Sequence, residues 1–246
     1  MGLIDEIRRV GVAQTLDKLE RLDPAAHQQV AAALIQELQQ ECQKDGLLWL
    51  RNVQTRDEAD PDQPIKPFPV HLEYIRHLWD LLGTHHRLVI AKSRQMLVSW
   101  LVVGFCVWWA RYRPHQAVYW QSQQWKDACG MVARSDGQPL GRAHLIERYL
   151  PGWLQQPIKT QDGLISYPNG SFIEAVAGGA DQIRGKVGSI VVLDEFAKQV
   201  EAAGVWATIA PIAHEKVRVV IIGTPNGTDN TFCTLWHGRP VRLGER

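Results

Sequence analysis

Three short segments carry residue types that suit nucleotide hydrolysis. The first is Lys92-Ser93-Arg94-Gln95-Met96-Leu97-Val98-Ser99. A phosphate-binding loop needs backbone N–H groups at a helix N-terminus, a cation for the phosphates and a hydroxyl for Mg²⁺. Ser99 can supply the hydroxyl, and Lys92 and Arg94 the cations. The segment departs from G-x-x-x-x-G-K-[ST]: Leu97 stands where the second glycine belongs and Val98 where the lysine belongs. An ordinary strand-to-helix turn with surface cations would read the same way. The second segment is Leu193-Asp194-Glu195-Phe196, at the end of the apolar run SIVVL. There Asp194 can hold the metal through water and Glu195 can polarise an attacking water. An acidic helix N-terminus is the alternative reading. The third is Gly223-Thr224-Pro225-Asn226-Gly227, after VRVVII. Thr224 can sense a γ-phosphate or its water, although Pro-Asn-Gly is also plain turn chemistry.

The elements that must position these segments are strands alternating with helices. Arg87–Ala91, Ala117–Gln121, Ser189–Leu193 and Val217–Ile222 read as short strands. The last two are continuous apolar runs, the pattern of parallel strands covered on both faces. Leu164–Tyr167 and Ser171–Val176 flank Asn169-Gly170, a hairpin signal. A helix is expected after the phosphate loop, another near Gln124, and one over His71–Leu82 with Leu72, Ile75, Leu78, Trp79 and Leu82 on one face. Residues 3–45 read as a helical hairpin with leucines Leu16, Leu19 and Leu22, then Asp23-Pro24 as a helix start, then Val30, Ala33, Leu34 and Leu38, with Gly46 as a stop. Residues 51–69 hold four prolines and many charges, and read as a linker or strap without regular elements. The expected organisation is a helical appendage over 1–50, the strap over 51–69 and an α/β ATPase domain over 70–246. Such a domain has a mostly parallel sheet flanked by helices and a crevice at the carboxyl ends of its strands.

Composition narrows the classes. With Lys plus Arg at 27 and Asp plus Glu at 26, the net charge of +1 offers no long-range field to recruit DNA or anionic membrane. Cys42, Cys106, Cys129 and Cys233 form no C-x-x-C pair, which argues against zinc or a disulfide framework. No H-x-x-x-H supports a metal among the histidines. The apolar stretch Met96–Ala110 is too short to span a bilayer. Trp100, Trp108 and Trp109 are expected in the core and Trp79 on an apolar helix face, while Trp120, Trp125, Trp153, Trp206 and Trp236 lack interleaved basic residues, so none is assigned to bases.

As a set, the segments KPFP, KSRQMLVSW, QSQQWKDA, YLPGWL, YPNGSFIEAVAGGADQIRG, VVLDEFAKQ and IIGTPNGTDNTF resemble the large terminase subunit of tailed phages, over most of residues 66–233. The resemblance implies a P-loop NTPase-like fold and ATP hydrolysis with Mg²⁺. It makes Lys92, seven residues before Ser99, a displaced phosphate-loop lysine, with Ser93, Arg94 and Gln95 beside the phosphates. It places Thr224 in a motif coupling hydrolysis to movement. Arg184, a surface arginine by its own context, becomes a residue that reaches a neighbouring subunit's site. It also implies double-stranded DNA, a portal and procapsid, a small terminase subunit and a homo-oligomeric ring as partners, in the host cytoplasm and without a membrane. Leu97 departs from the family's usual small residue, and a β-carbon there disfavours a left-handed backbone. The family's nuclease domain would lie beyond Arg246, so no nuclease activity is expected from these residues. A motor remnant acting as a binding or assembly module is the competing reading. Another P-loop ATPase, such as a helicase, fits the segments less well as a set.

Overall fold

The computed structural model describes residues 24–93, 96–134, 140–186, 188–213 and 217–241, with side chains from residue 32 onward. The leucines expected on a first helix, Leu16, Leu19 and Leu22, lie outside the described residues. Helix α1 runs Pro24–Lys44 and buries Leu34, Leu38 and Cys42, one turn apart, while Ala33 points to solvent. Gly46 does not simply stop this helix: it opens a second, α2 (Gly46–Leu50). Asp45 caps α2, its Oδ1 accepting from the Leu47 and Leu48 N–H groups at 3.0 and 3.1 Å. A β-carbon on Gly46 would stand 2.4 Å from the Trp79 ring, so only glycine lets this corner seat on the domain.

The strap expected to lack elements carries an antiparallel ladder, β1 (Gln54–Arg56) with β2 (Ile65–Pro67). Its charges build it. The Asp57 and Asp60 carboxylates accept from the Ala59 and Gln63 N–H groups and shape the connection. Lys66 bonds Asp60 across the turn, and the buried Thr55 hydroxyl donates to the Lys66 carbonyl. Pro67 sits in a two-stranded ladder, where a missing N–H has an outer side to face.

The helix after the strap, α3 (Glu73–Thr84), buries Ile75, Trp79 and Leu82 as its apolar spacing predicts. Then come β3 (Arg87–Ala91), α4 (Val98–Tyr112), β4 (Ala117–Gln121), α5 (Trp125–Met131) and α6 (Arg142–Tyr149). Strands β5 (Lys159–Gln161), β6 (Leu164–Ser166) and β7 (Phe172–Val176) follow. The chain continues through α7 (Ala180–Ile183), β8 (Ile190–Leu193), α8 (Ala202–Ile209), β9 (Arg218–Gly223) and α9 (Thr231–Trp236). Seven strands form one sheet in the order β3-β9-β8-β4-β7-β6-β5. The first five are parallel, and β6 and β5 continue antiparallel from β7. This is the expected α/β class, a mostly parallel sheet flanked by helices.

Period-two alternation splits the core between the faces. Ile190, Val192, Val220 and Ile222 pack towards α4, whereas Val191, Leu193, Val219 and Ile221 pack with α8 and Phe232 of α9. Helix α4 is buried almost all round, which explains its near-continuous apolar sequence, and no described helix is long and apolar enough to cross a membrane. Trp100, Trp108 and Trp120 are in this core.

One polar contact crosses it. Arg111 near the end of α4 meets Glu147 of α6 at 2.6 Å, with side chains 5% and 2% exposed. Burial pushes the Glu147 carboxyl up from its ordinary range, and Arg111 opposes that rise. The pair fixes α6 against α4. Glu147→Ala should therefore cost roughly 3–5 kcal/mol, because it strands a buried guanidinium. Urea unfolding checks it, and a loss under 1 kcal/mol would mean the pair is dispensable.

Candidate active site

The three chemistry-bearing segments converge because β3, β9 and β8 are consecutive in the sheet and end together. Ala91 is in register with Gly223, and Leu193 with Ile221. The Lys92 N–H donates to the Gly223 carbonyl at 3.0 Å, tying the phosphate loop to the strand before Thr224. A β-carbon on Gly223 would lie 2.9 Å from the Phe232 ring, so glycine lets α9 close under this point.

Lys92 and Glu195, 103 residues apart, meet at 3.2 Å between Nζ and Oε1. Lys198 reaches the other oxygen, Oε2, at 3.0 Å. Burial would raise the Glu195 carboxyl, but Lys198 and Lys92 outweigh it and hold the group below the usual range. Its backbone is left-handed, at φ 46°. Asp194 is 2% exposed and accepts from the Glu195 N–H at 3.0 Å. Burial, with help from Glu195, pushes its carboxyl up to about 6, against the pull of Lys92, that N–H and Arg142. Such a carboxylate lacks a full counter-charge. It suits a divalent cation with few protein ligands, as Mg²⁺ takes. The Ser99 hydroxyl, buried on the first turn of α4, is the other candidate ligand. Among the described residues no cluster of three or more His, Cys, Asp or Glu forms a metal cage.

Before α4, Leu97 occupies the left-handed region at φ 54°, ψ 10°. The glycine-like geometry is thus present without the glycine. Val98, at the position of the standard lysine, is buried and packs in the core at the cleft's lining. Arg94 and Gln95 lie outside the described residues. Tyr74 of α3 donates from its hydroxyl to the Met96 carbonyl at 3.1 Å and so braces the loop.

A cleft of about 680 Å³ opens over this loop, within the size range of small-molecule sites. Its walls are Lys92, Ser93 and Ser99 on one side, Arg56, Glu58 and Lys66 of the strap on another, and Arg142 of α6. Thr224 ends β9 beside the Lys92 tether, half-buried and not in the cleft wall. Arg184 stands apart from the cleft: its side chain is 70% exposed and pairs with Asp181 at 3.2 Å. Tyr74, Lys198, Arg142 and the strap's charged face were not singled out from the sequence. Only tertiary packing brings them here, and no motif marks them.

A parallel sheet with a phosphate-type loop after an edge strand, an acidic strand two places away and a strand between them defines a P-loop NTPase-like fold. No protein-family model matches the chain. Among solved structures it is similar to the large terminase of bacteriophage HK97, 13% identical, over 79% of this chain and 40% of that one, with a TM-score of 0.56. It is also similar to the large terminase of the thermophilic bacteriophage D6E, 12% identical, over 70% and 43%, with a TM-score of 0.49. A third is the large terminase ATPase domain of Thermus phage P74-26, 20% identical, over 63% and 71%, with a TM-score of 0.44. The HK97 comparison establishes the fold, and the chain spans about 40% of that protein's length. The likeness read from the motifs holds at the level of the fold.

Two outcomes follow from the backbone and charge of this site. Leu97→Gly and Leu97→Ala both lose the leucine side chain, but only alanine keeps a β-carbon at positive φ. The glycine variant should be the more stable by roughly 1 kcal/mol, the reverse of the order inside a helix. Urea midpoints decide it, and alanine equal to or above glycine would contradict the left-handed geometry. The second concerns pH. Asp194 ionises near 3.8 in the unfolded chain and near 6 when folded. Its contribution to stability is complete below pH 4 and lost as pH rises through 6. Metal-free Asp194→Asn, which can keep the Glu195 N–H bond, should melt a few degrees above the parent at pH 7.5 and close to it at pH 4. A variant less stable at both values would refute a charge penalty at Asp194.

Proposed function

We propose that the chain is an ATP hydrolase acting through the cleft at the ends of β3, β9 and β8, the catalytic part of a DNA-packaging motor. The observation that carries this reading is the meeting of Lys92 and Glu195 beside the buried Asp194. A cation for phosphates, a base for water and a metal carboxylate are the minimum set for phosphoryl transfer to water. The fold likeness to large terminases supports it.

On this reading Lys92 holds the phosphates, with Ser93, Arg94 and Gln95 at the loop, and Ser99 and Asp194 hold Mg²⁺. When bound, Mg²⁺ would neutralise charge on the phosphate oxygens. Glu195 orients and polarises the attacking water, and Thr224 relays the phosphate state to β9. Glu195 is engaged by Lys92 and Lys198, so phosphates that draw Lys92 away would leave it freer to act as a base. Exposed Arg184 would serve a neighbouring copy in a homo-oligomeric ring. By the motif resemblance, the work done is movement of double-stranded DNA into a procapsid through its portal, with a small terminase subunit, in the host cytoplasm. A weakened motor remnant, serving in binding or assembly, is the second reading, motivated by leucine standing at position 97 in place of a small residue.

Titration of Mg²⁺–ATP into the chain, followed by turnover, separates the two. The motor reading expects binding, with Glu195→Gln still binding but hydrolysing roughly 10²–10⁴-fold more slowly, and Lys92→Ala binding less tightly. Binding without turnover under conditions that assemble subunits would favour the remnant. Absence of binding would end the ATPase reading.

A further inference from the structure

Arg142 has no place in the three segments, yet it faces the same cleft. It begins α6, a helix pinned to α4 by the buried Arg111–Glu147 pair, so its Cα position is rigid. Its guanidinium lies 5.0 Å from the centroid of the Trp100 ring, one turn into the helix that follows the phosphate loop. The carboxylates that act on it are Asp194 and Glu58, but it forms an ion pair with neither. It makes no hydrogen bond among the described residues.

A guanidinium presents five donors in a planar fork. Withdrawing one from water without a partner is costly, and burial pulls Arg142 below its ordinary range. Stacking on Trp100 recovers part of that cost and sets the plane of the fork. Arg142 lines the cleft together with Lys92, Ser93 and Ser99, while Asp194 lies outside the lining and acts on Arg142 through its charge. The phosphate loop is short of cations on this side, because Val98 replaces the usual lysine and is buried.

We propose that Arg142 is a nucleotide-binding residue that grips the terminal phosphates of ATP from the α6 side of the cleft. The inference rests on the ATPase reading above. On the ATPase reading Asp194, one of the two carboxylates whose charge acts on Arg142, would hold the Mg²⁺ that accompanies the terminal phosphates. The contact would therefore favour a triphosphate over a diphosphate.

Calorimetric titration of the full chain with Mg²⁺–ATP, Mg²⁺–ADP and Mg²⁺–tripolyphosphate tests this. Arg142→Gln should weaken ATP and tripolyphosphate by roughly tenfold or more, and ADP by clearly less. Arg142→Lys keeps the stem and the charge but not the fork, so it should melt like the parent and bind ATP several-fold more weakly. If Lys92→Ala loses affinity while Arg142→Gln binds ATP like the parent, Arg142 is no phosphate ligand and the nucleotide site stands. Equal losses for ATP and ADP with a lowered melting temperature would make Arg142 a structural residue and overturn the proposal. Parent-like ATP affinity in a well-folded Arg142→Lys would overturn the fork. A parent that binds none of the three ligands overturns this proposal together with the ATPase reading.

Discussion

A carboxylate that is almost fully buried at the end of a central strand sets the terms for the rest of the site. Asp194 is cut off from water by β4, β9 and the turn after β8, and burial alone would drive it to the neutral form. The neighbourhood answers with cations from three directions: Lys92 from β3, Arg142 from α6, and the partial charge of the Glu195 N–H. None closes an ion pair with Asp194, so the carboxylate remains partly uncompensated. Buried charge of this kind is destabilising for a fold and useful for a site, because a bound cation recovers what folding lost. The cost is tolerable because the strand beneath is secured on both faces by apolar side chains with almost no exposure.

Helix α4 carries that constraint outward. Its first turn holds Ser99 and Trp100, its middle fills the core, and its last turns hold Arg111. Because α4 is packed almost all round, its first residues are fixed, and Leu97 makes the entry in a left-handed conformation that leucine disfavours by roughly 1–2 kcal/mol. The strain is sustained by contacts on both sides: Val98 is buried next to it, and Tyr74 holds the Met96 carbonyl. Strain at a loop of this kind marks a position where surrounding packing overrules local preference.

The legible part of the molecule follows from that division. Continuous apolar runs and period-two alternation put β3 and β4 where the sequence reading placed them, and β8 and β9 within one residue, because central strands leave their burial pattern in the residues themselves. The hairpin at Asn169-Gly170 was visible from its turn chemistry. The strap's ladder is not legible in the sequence because it is held by side-chain bonds from Asp57, Asp60, Thr55 and Lys66, which leave no periodicity, while its prolines argue for irregular chain. Of the candidate site, Lys92, Ser99, Asp194 and Glu195 stand out in the sequence because each lies at a strand end or a helix start. Arg142 could not, since nothing in LGRAHLIERYL separates a cleft arginine from one in solvent. Thr224 follows β9 half-buried and outside the cleft wall, and the Arg184 side chain is exposed.

The Lys92 ammonium gives this arrangement its logic on the ATPase reading. Among the described residues it pairs with Glu195, whose second oxygen belongs to Lys198. At position 92 it leaves a strand end and swings on a four-carbon stem. It can therefore serve a carboxylate in one state and phosphates in another, as a rigid guanidinium could not. Each phosphate contact it gains is a contact Glu195 loses, which frees an oxygen for water. Lys198 stays behind, so the freed base remains weakly basic. The left-handed backbone at Glu195 then has a physical use: it turns the side chain back across β9 to meet Lys92, instead of letting it follow the next turn into solvent.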